Sequence, residues 1–151
     1  MAARYFEDFK AGDIFKGGPV DVTQDAIIAY ARQFDPQPFH LDPHAAKDSM
    51  FGELVASGWH TASMTMRMFA TSDMNIINGV IGGGLEQLSW PRPVRPGDRL
   101  SLRSEILETR PSRSKPDRGM IRVKVETLNH KGEVVQSFVT QLFVLRRSPG
   151  I

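Results

Sequence analysis

Phe34-Asp35-Pro36-Gln37-Pro38-Phe39-His40-Leu41-Asp42-Pro43-His44-Ala45-Ala46 is the most constrained run in the 151-residue chain. Each proline holds its own φ near about −65° and biases the residue before it away from helix, so Asp35, Gln37 and Asp42 are expected to be extended. A carboxylate at Asp35 and an imidazole at His40 therefore stand on one stiff loop as an acid/base pair. The loop is expected to end at Asp42, where Asp followed by Pro43 reads as a helix N-cap with proline at the first helical position. A short helix over His44 to Ser49 should follow.

Working outward, Ser57-Gly58-Trp59 marks a second helix start. Ser57 is a natural N-cap, and the N–H groups from Gly58 onward would leave the helix end toward the loop with a partial positive field suited to an oxyanion. The helix itself, about Trp59 to Thr71, carries Ala62, Met64, Met66, Met68, Phe69 and Ala70 nearly all round, with Arg67 as its charged residue. This predicts burial on most of its surface, wrapped by a sheet. Its methionines read either as gap-filling core or as substrate lining. Upstream, Thr23 can cap a helix whose Ile27, Ile28, Tyr30, Ala31 and Phe34 form an apolar stripe, and that helix delivers Asp35 at its end.

Downstream the period changes from helical to alternating. A strand is expected over Leu85 to Val94, after a glycine-rich stretch (Gly79, Gly82, Gly83, Gly84) that lacks the Lys-Ser/Thr of a phosphate loop. Those glycines read as a tight connection or a close backbone approach to a ligand. Pro96-Gly97 forms a turn. Leu100, Leu102 and Ile106 then alternate with Ser101, Arg103 and Glu105, and Ile121, Val123 and Val125 with Arg122, Lys124 and Glu126. Residues 134 to 145 are apolar on both faces and should be central or covered by a partner subunit. Asn129-His130-Lys131-Gly132 makes a hairpin turn. A short strand near Asp13 to Phe15 completes an α+β domain over residues 1–151.

Composition narrows the function classes. The chain has no cysteine, which excludes disulfides, thiolate nucleophiles and cysteine-based metal sites. His40 and His44 have metal-binding spacing only if both lie on one helix, and Pro43 separates them, so no metal site is expected. The net charge of +2 is mild and gives no sign of nucleic acid. Charged residues interrupt the first ten positions and no run is long enough to span a bilayer, so no membrane association and a cytoplasmic location are expected. The excess positive charge is local to Arg110, Arg113, Lys115 and Arg118, read as a long, solvated connection or as a lure for phosphates.

Asp35-Pro36-Gln37-Pro38-Phe39-His40-Leu41-Asp42 with Ala45-Ala46 resembles the hydratase-2 motif of the MaoC-like dehydratases, the (R)-specific enoyl-CoA hydratases with a hotdog fold. The family pattern, approximately Ser-Gly-Asp-x-Asn-Pro-(Leu/Ile)-His-x-Asp, is matched in its Asp-to-His spacing. Gln33-Phe34 before the aspartate and Gln37 in place of Asn depart from it. Gly58 falls where the family has a helix-opening glycine, and Trp90 to Leu100 is similar to its Pro-Val-x-Pro-Gly-Asp-x-Leu segment.

The resemblance implies an antiparallel sheet wrapped around a long central helix and a lyase acting in fatty acid metabolism. Its reaction would add water reversibly to an enoyl-CoA to give an (R)-3-hydroxyacyl-CoA. It implies Asp35 and His40 as the pair that holds and deprotonates the water, and Gly58 as the backbone donor to the thioester carbonyl. Coenzyme A would be part of the substrate, with no separate cofactor, and Arg113 and Lys115 are the residues expected to attract its phosphates. A homodimer or dimer of dimers is expected. Read without relatives, Asp35 is equally a cap after a helix and Gly58 a permissive residue at a helix start. A hotdog thioesterase and a non-catalytic acyl-CoA-binding subunit are the competing functions.

Overall fold

A computed structural model of the chain describes residues 2–148, so residues 1 and 149–151 of the expected domain lie outside the described residues. Five strands form one antiparallel sheet: β1 (Ile14–Asp21), β2 (Gly82–Ser89), β3 (Arg99–Pro111), β4 (Arg118–Leu128) and β5 (Val134–Leu145). They lie in the order β1-β3-β4-β5-β2. Four helices precede β2: α1 (Gln24–Phe34), α2 (Pro38–Leu41), α3 (Pro43–Ala46) and α4 (Gly58–Ala70). The α+β class and the hotdog layout, one helix laid against one face of an antiparallel sheet, are as expected.

Alternation builds the core. Leu100, Leu102 and Ile106 of β3 and Ile121, Val123 and Val125 of β4 point inward and are buried, while Arg103, Glu105 and Lys124 point out. α4, about 20 Å long at 1.5 Å per residue, sets Met64, Met68 and Phe69 into this layer. Close approach of β1 to the helix requires glycine, because a Cβ at Gly17 would lie 2.6 Å from the Met68 carbonyl oxygen.

Several boundaries differ from expectation. α4 is not enclosed: Trp59, Met66 and Arg67 are exposed, so the helix is buried on one side only. β1 runs to Asp21 because pairing with β3 stabilises a stretch too glycine-rich to show a pattern of its own. Gly82, Gly83 and Gly84 already belong to β2, which stops at Ser89 before Trp90-Pro91. The expected long connection at Arg110 to Arg118 is shortened to the six residues 112–117, since pairing continues to Pro111 opposite Gly119. β5 is central, between β4 and β2, as expected: its inward side holds buried Gln136, Thr140 and Leu142, and on the other side Val135 and Val139 are buried while Phe143 is 40% exposed.

Candidate active site

Asp35 is the residue that ends α1, its N–H donating to the Ala31 carbonyl at 2.9 Å. α1 is anchored by fully buried Ile27 and Ala31 and capped by Thr23, whose hydroxyl accepts from the Ala26 N–H. The expected extended loop then proves to be only the three residues Asp35, Pro36 and Gln37. Gln37 is the N-cap and Pro38 the first residue of α2, so His40 sits on a single helical turn, where proline's missing N–H costs nothing. Asp42 caps α3 as expected, accepting from the His44 N–H at 2.9 Å.

The segment from Leu54 to Ser57 threads beside α2. Val55 donates its N–H to the Phe39 carbonyl at 3.1 Å and receives His40 Nδ1 on its own carbonyl at 2.7 Å. Ala56 donates to the Val94 carbonyl, tying this segment to the loop after β2. Ser57 then caps α4, accepting from the Trp59 N–H at 3.2 Å, and its hydroxyl donates to Asp35 Oδ2 at 2.7 Å. Asp35 Oδ1 accepts from the Gln37 side-chain amide at 2.6 Å. Gln37 thus serves the carboxylate itself, and the departure from Asn keeps a hydrogen bond there.

His40 Nε2 lies 3.3 Å from Asp35 Oδ2. The Val55 carbonyl can only accept, so His40 carries its proton on Nδ1, and in the neutral ring Nε2 presents a lone pair. Two acceptors then face one another. The arrangement is satisfied by a donor between them, or by a second proton on the imidazole that makes a charge-assisted pair. Burial pushes the Asp35 carboxyl up, but hydrogen bonds from Ser57 and Gln37 and the neighbouring His40 outweigh it and hold the group below its ordinary value. Asp35 is therefore a carboxylate at neutral pH.

These groups open on a cavity of about 480 Å³ that Gly58 also lines. The N–H groups in the first turn of a helix have no intrahelical acceptor, and the Gly58 end of α4 brings that turn to the cavity. Phe39, Phe51, Trp59 and Trp90 make the walls apolar. Asp35, His40 and Gly58 are thus brought together. Arg113 and Lys115 are not: they lie in the β3–β4 connection beyond Pro111 and do not line this cavity. There Arg113 borders a separate hollow with Arg110, Gln141 and Phe143.

Sequence reasoning missed Ser57 as a partner of Asp35 and Arg92 as the cation at this cavity's rim. A Ser-Gly pair signals a cap, but only tertiary structure brings that cap to a residue 22 positions earlier. His60, near the start of α4, is buried and stacked on Tyr30 with ring centroids 4.8 Å apart; burial lowers its pKa. Among the described residues, no group of three or more His, Asp or Glu side chains is gathered as a metal would need. Nor is any helix there long and apolar enough to cross a membrane.

Residues 10–129 match the family model of the MaoC like domain. The chain belongs to the MaoC-like domain family. It is similar to a crystal structure of the MaoC-like dehydratase from Rhodospirillum rubrum, with 48% identity and a TM-score of 0.93 over 97% of this chain and 99% of that one. It is 29% identical to the uncharacterized protein YdeM of Bacillus subtilis over 92% of this chain and 96% of that protein. It is 28% identical to a 3-hydroxybutyryl-CoA dehydratase of Methylorubrum extorquens over 72% of this chain and 68% of that protein. In this MaoC-like domain the residues that carried the resemblance, Asp35 to Asp42 and Gly58, line or flank one cavity.

Proposed function

We propose that the protein is a hydro-lyase adding water reversibly to the double bond of an enoyl-CoA to give an (R)-3-hydroxyacyl-CoA. The observation that carries this reading is the 3.3 Å pairing of two acceptors, His40 Nε2 and Asp35 Oδ2, beside the Gly58 end of α4. A water held there donates one hydrogen to each. As its oxygen attacks C3 of the enoyl group, the proton passes to Nε2, since the depressed Asp35 is the weaker base and instead orients the water and stabilises the imidazolium. Negative charge moves through C2 to the thioester oxygen, where the Gly58 N–H receives it. The imidazolium then returns its proton to C2. Dehydration is the reverse.

At the mouth, Arg92 is half exposed and bridged to Glu133 at 3.4 Å, which places a cation where CoA phosphates can be drawn in. The proposed chemistry uses no cofactor, and the reading includes a cytoplasmic enzyme of fatty acid metabolism. A homodimer or dimer of dimers is supported by β2, which pairs with β5 on one side and exposes Leu85 along the other edge.

The test follows absorbance of conjugated enoyl thioesters of several lengths alongside a thiol-trapping dye. Asp35→Asn and His40→Ala should each remove most hydration, and the double variant should lose little more than either, because both act on one water. Release of thiol with the double bond intact would instead make the protein a thioesterase. Losses that multiply independently would sink the shared water.

A further inference from the structure

Trp90 is the first residue after β2 and one wall of the cavity, and it is held from behind by a chain of hydrogen bonds whose central members, Gln136 and Thr65, do not line the cavity. Its indole N–H donates to Gln136 Oε1 at 2.8 Å. An indole nitrogen only donates, so the Gln136 amide has one orientation, with its NH₂ directed to the Thr65 hydroxyl at 3.0 Å. Thr65 gives its single proton to the Thr61 carbonyl at 2.8 Å, which leaves Thr127, 2.6 Å away, as a donor to it. Gln136 and Thr127 are fully buried. The relay thus joins β5, α4 and β4 to one aromatic ring, with its polar groups satisfied.

That ring cannot move inward. A Cβ at Gly58 would meet Trp90 Cε2 at 2.7 Å and Cδ2 at 2.9 Å, so the indole lies directly against the Gly58 α-carbon at the start of α4. Trp59 meets it edge-on, with centroids 5.4 Å apart. Outward it is 40% exposed, and the hydrogen bond to Gln136 opposes movement in that direction.

We propose that Gln136 is a positioning residue that fixes the Trp90 indole as the selectivity wall of the acyl pocket, so that a side chain buried in the sheet sets which acyl groups fit. This rests on the reading of the cavity as an acyl-thioester site. Loss of the Gln136 amide leaves the indole N–H without its acceptor, and the ring turns toward solvent to find one. The wall over Gly58 opens, and bulkier acyl groups gain access.

The experiment uses Gln136→Leu, Trp90→Phe and the double variant, with Gln136→Met as the same-length alternative should Gln136→Leu not fold. The chain has two tryptophans, so its two indole N–H signals are assigned by the Trp90 variant and followed by hydrogen exchange. Dissociation constants for saturated acyl-CoAs of increasing length and branching are measured beside turnover of the matching enoyl-CoAs. Gln136→Leu should expose the Trp90 N–H to exchange and shift affinity about fivefold toward longer or branched acyl groups, the worth of one neutral hydrogen bond. Trp90→Phe should shift it the same way, and the double variant no further than either. A Trp90 N–H that stays protected without Gln136, or one that is released with an unchanged acyl profile, overturns the proposal. Wild-type protein that binds the series but hydrates none of it refutes the hydratase reading, and the binding shifts then decide the role of Gln136.

Discussion

Ser57→Ala removes one oxygen with two duties. The side chain is fully buried, accepts the Trp59 N–H at the start of α4 and donates to Asp35 Oδ2. Loss of an N-cap costs about 1 kcal/mol. Loss of a hydrogen bond to a charged group costs about 1.5–3 kcal/mol, and the lower figure applies because the Asp35 side chain is 18% exposed and water can replace the hydroxyl there. The sum is about 2–3 kcal/mol, a fall in Tm of roughly 5–10 °C for a domain of this size.

The functional effect has a definite sign. Ser57 lowers the Asp35 pKa, so its removal raises it and moves the acid limb of kcat/KM to higher pH. A carboxylate depressed in the folded state contributes stability above its ordinary value of 3.8 and loses it as pH falls through the folded value. The stability gap between wild type and Ser57→Ala should therefore be widest near neutrality and narrow in strong acid. Thermal unfolding across pH and pH–rate profiles measure both, with Ser57→Thr retaining both bonds as the control. A lower Tm with an unmoved acid limb would reduce Ser57 to a helix cap and refute its role at Asp35.

Gly58→Ala should cut kcat/KM at least about tenfold while keeping the fold, since the new methyl displaces Trp90; kinetics with circular dichroism check it, and near-normal turnover would mean the wall yields freely. Burial holds His60 below its ordinary 6.5, so the unfolded chain protonates first and stability is lost as pH falls below that value, with no effect above it. His60→Phe should flatten that slope in denaturant titrations between pH 7 and 5, and an unchanged slope would assign it elsewhere. Arg92→Gln should raise KM severalfold at low salt with kcat held, the effect shrinking as salt screens the charge. Arg113→Gln with Lys115→Gln is the comparison, and a larger effect there would move the phosphate site to the far hairpin. Leu85→Lys should halve the sedimenting mass at micromolar concentration, and an active wild-type monomer would contradict the assembly.

Much of this was legible because the informative residues carry their reasons locally. Thr23, Asp42 and Ser57 each cap the helix they were assigned to, and Gly97 and Gly132 both take positive φ in the turns that called for it. Proline misled at Pro38, whose bias on Gln37 was read as continuing through His40 although proline equally opens a helical turn. β1 and the outer half of β3 were underestimated because their stability comes from pairing partners, which no local pattern reveals. The site pair Asp35 and His40 could be read from spacing. Ser57 at Asp35 and Gln136 behind Trp90 could not, since both depend on contacts between distant parts of the chain.

The strand order β1-β3-β4-β5-β2 also bears on how the protein is made. β3, β4 and β5 are successive hairpins and can pair as soon as they exist, whereas β1 must wait for β3, with Ile14 joining Glu105, and β2 for β5, with Leu85 joining Thr140. Local pairings form fast and distant ones slowly. During synthesis Asp35, His40 and Gly58 leave the ribosome before β3, β4 and β5, and only β1 among the strands that pack on α4 precedes them. The C-terminal meander is thus the template on which the N-terminal half condenses, and a nascent chain halted before β5 would carry Asp35, His40 and Gly58 without the strand whose Gln136 backs the Trp90 wall of their cavity.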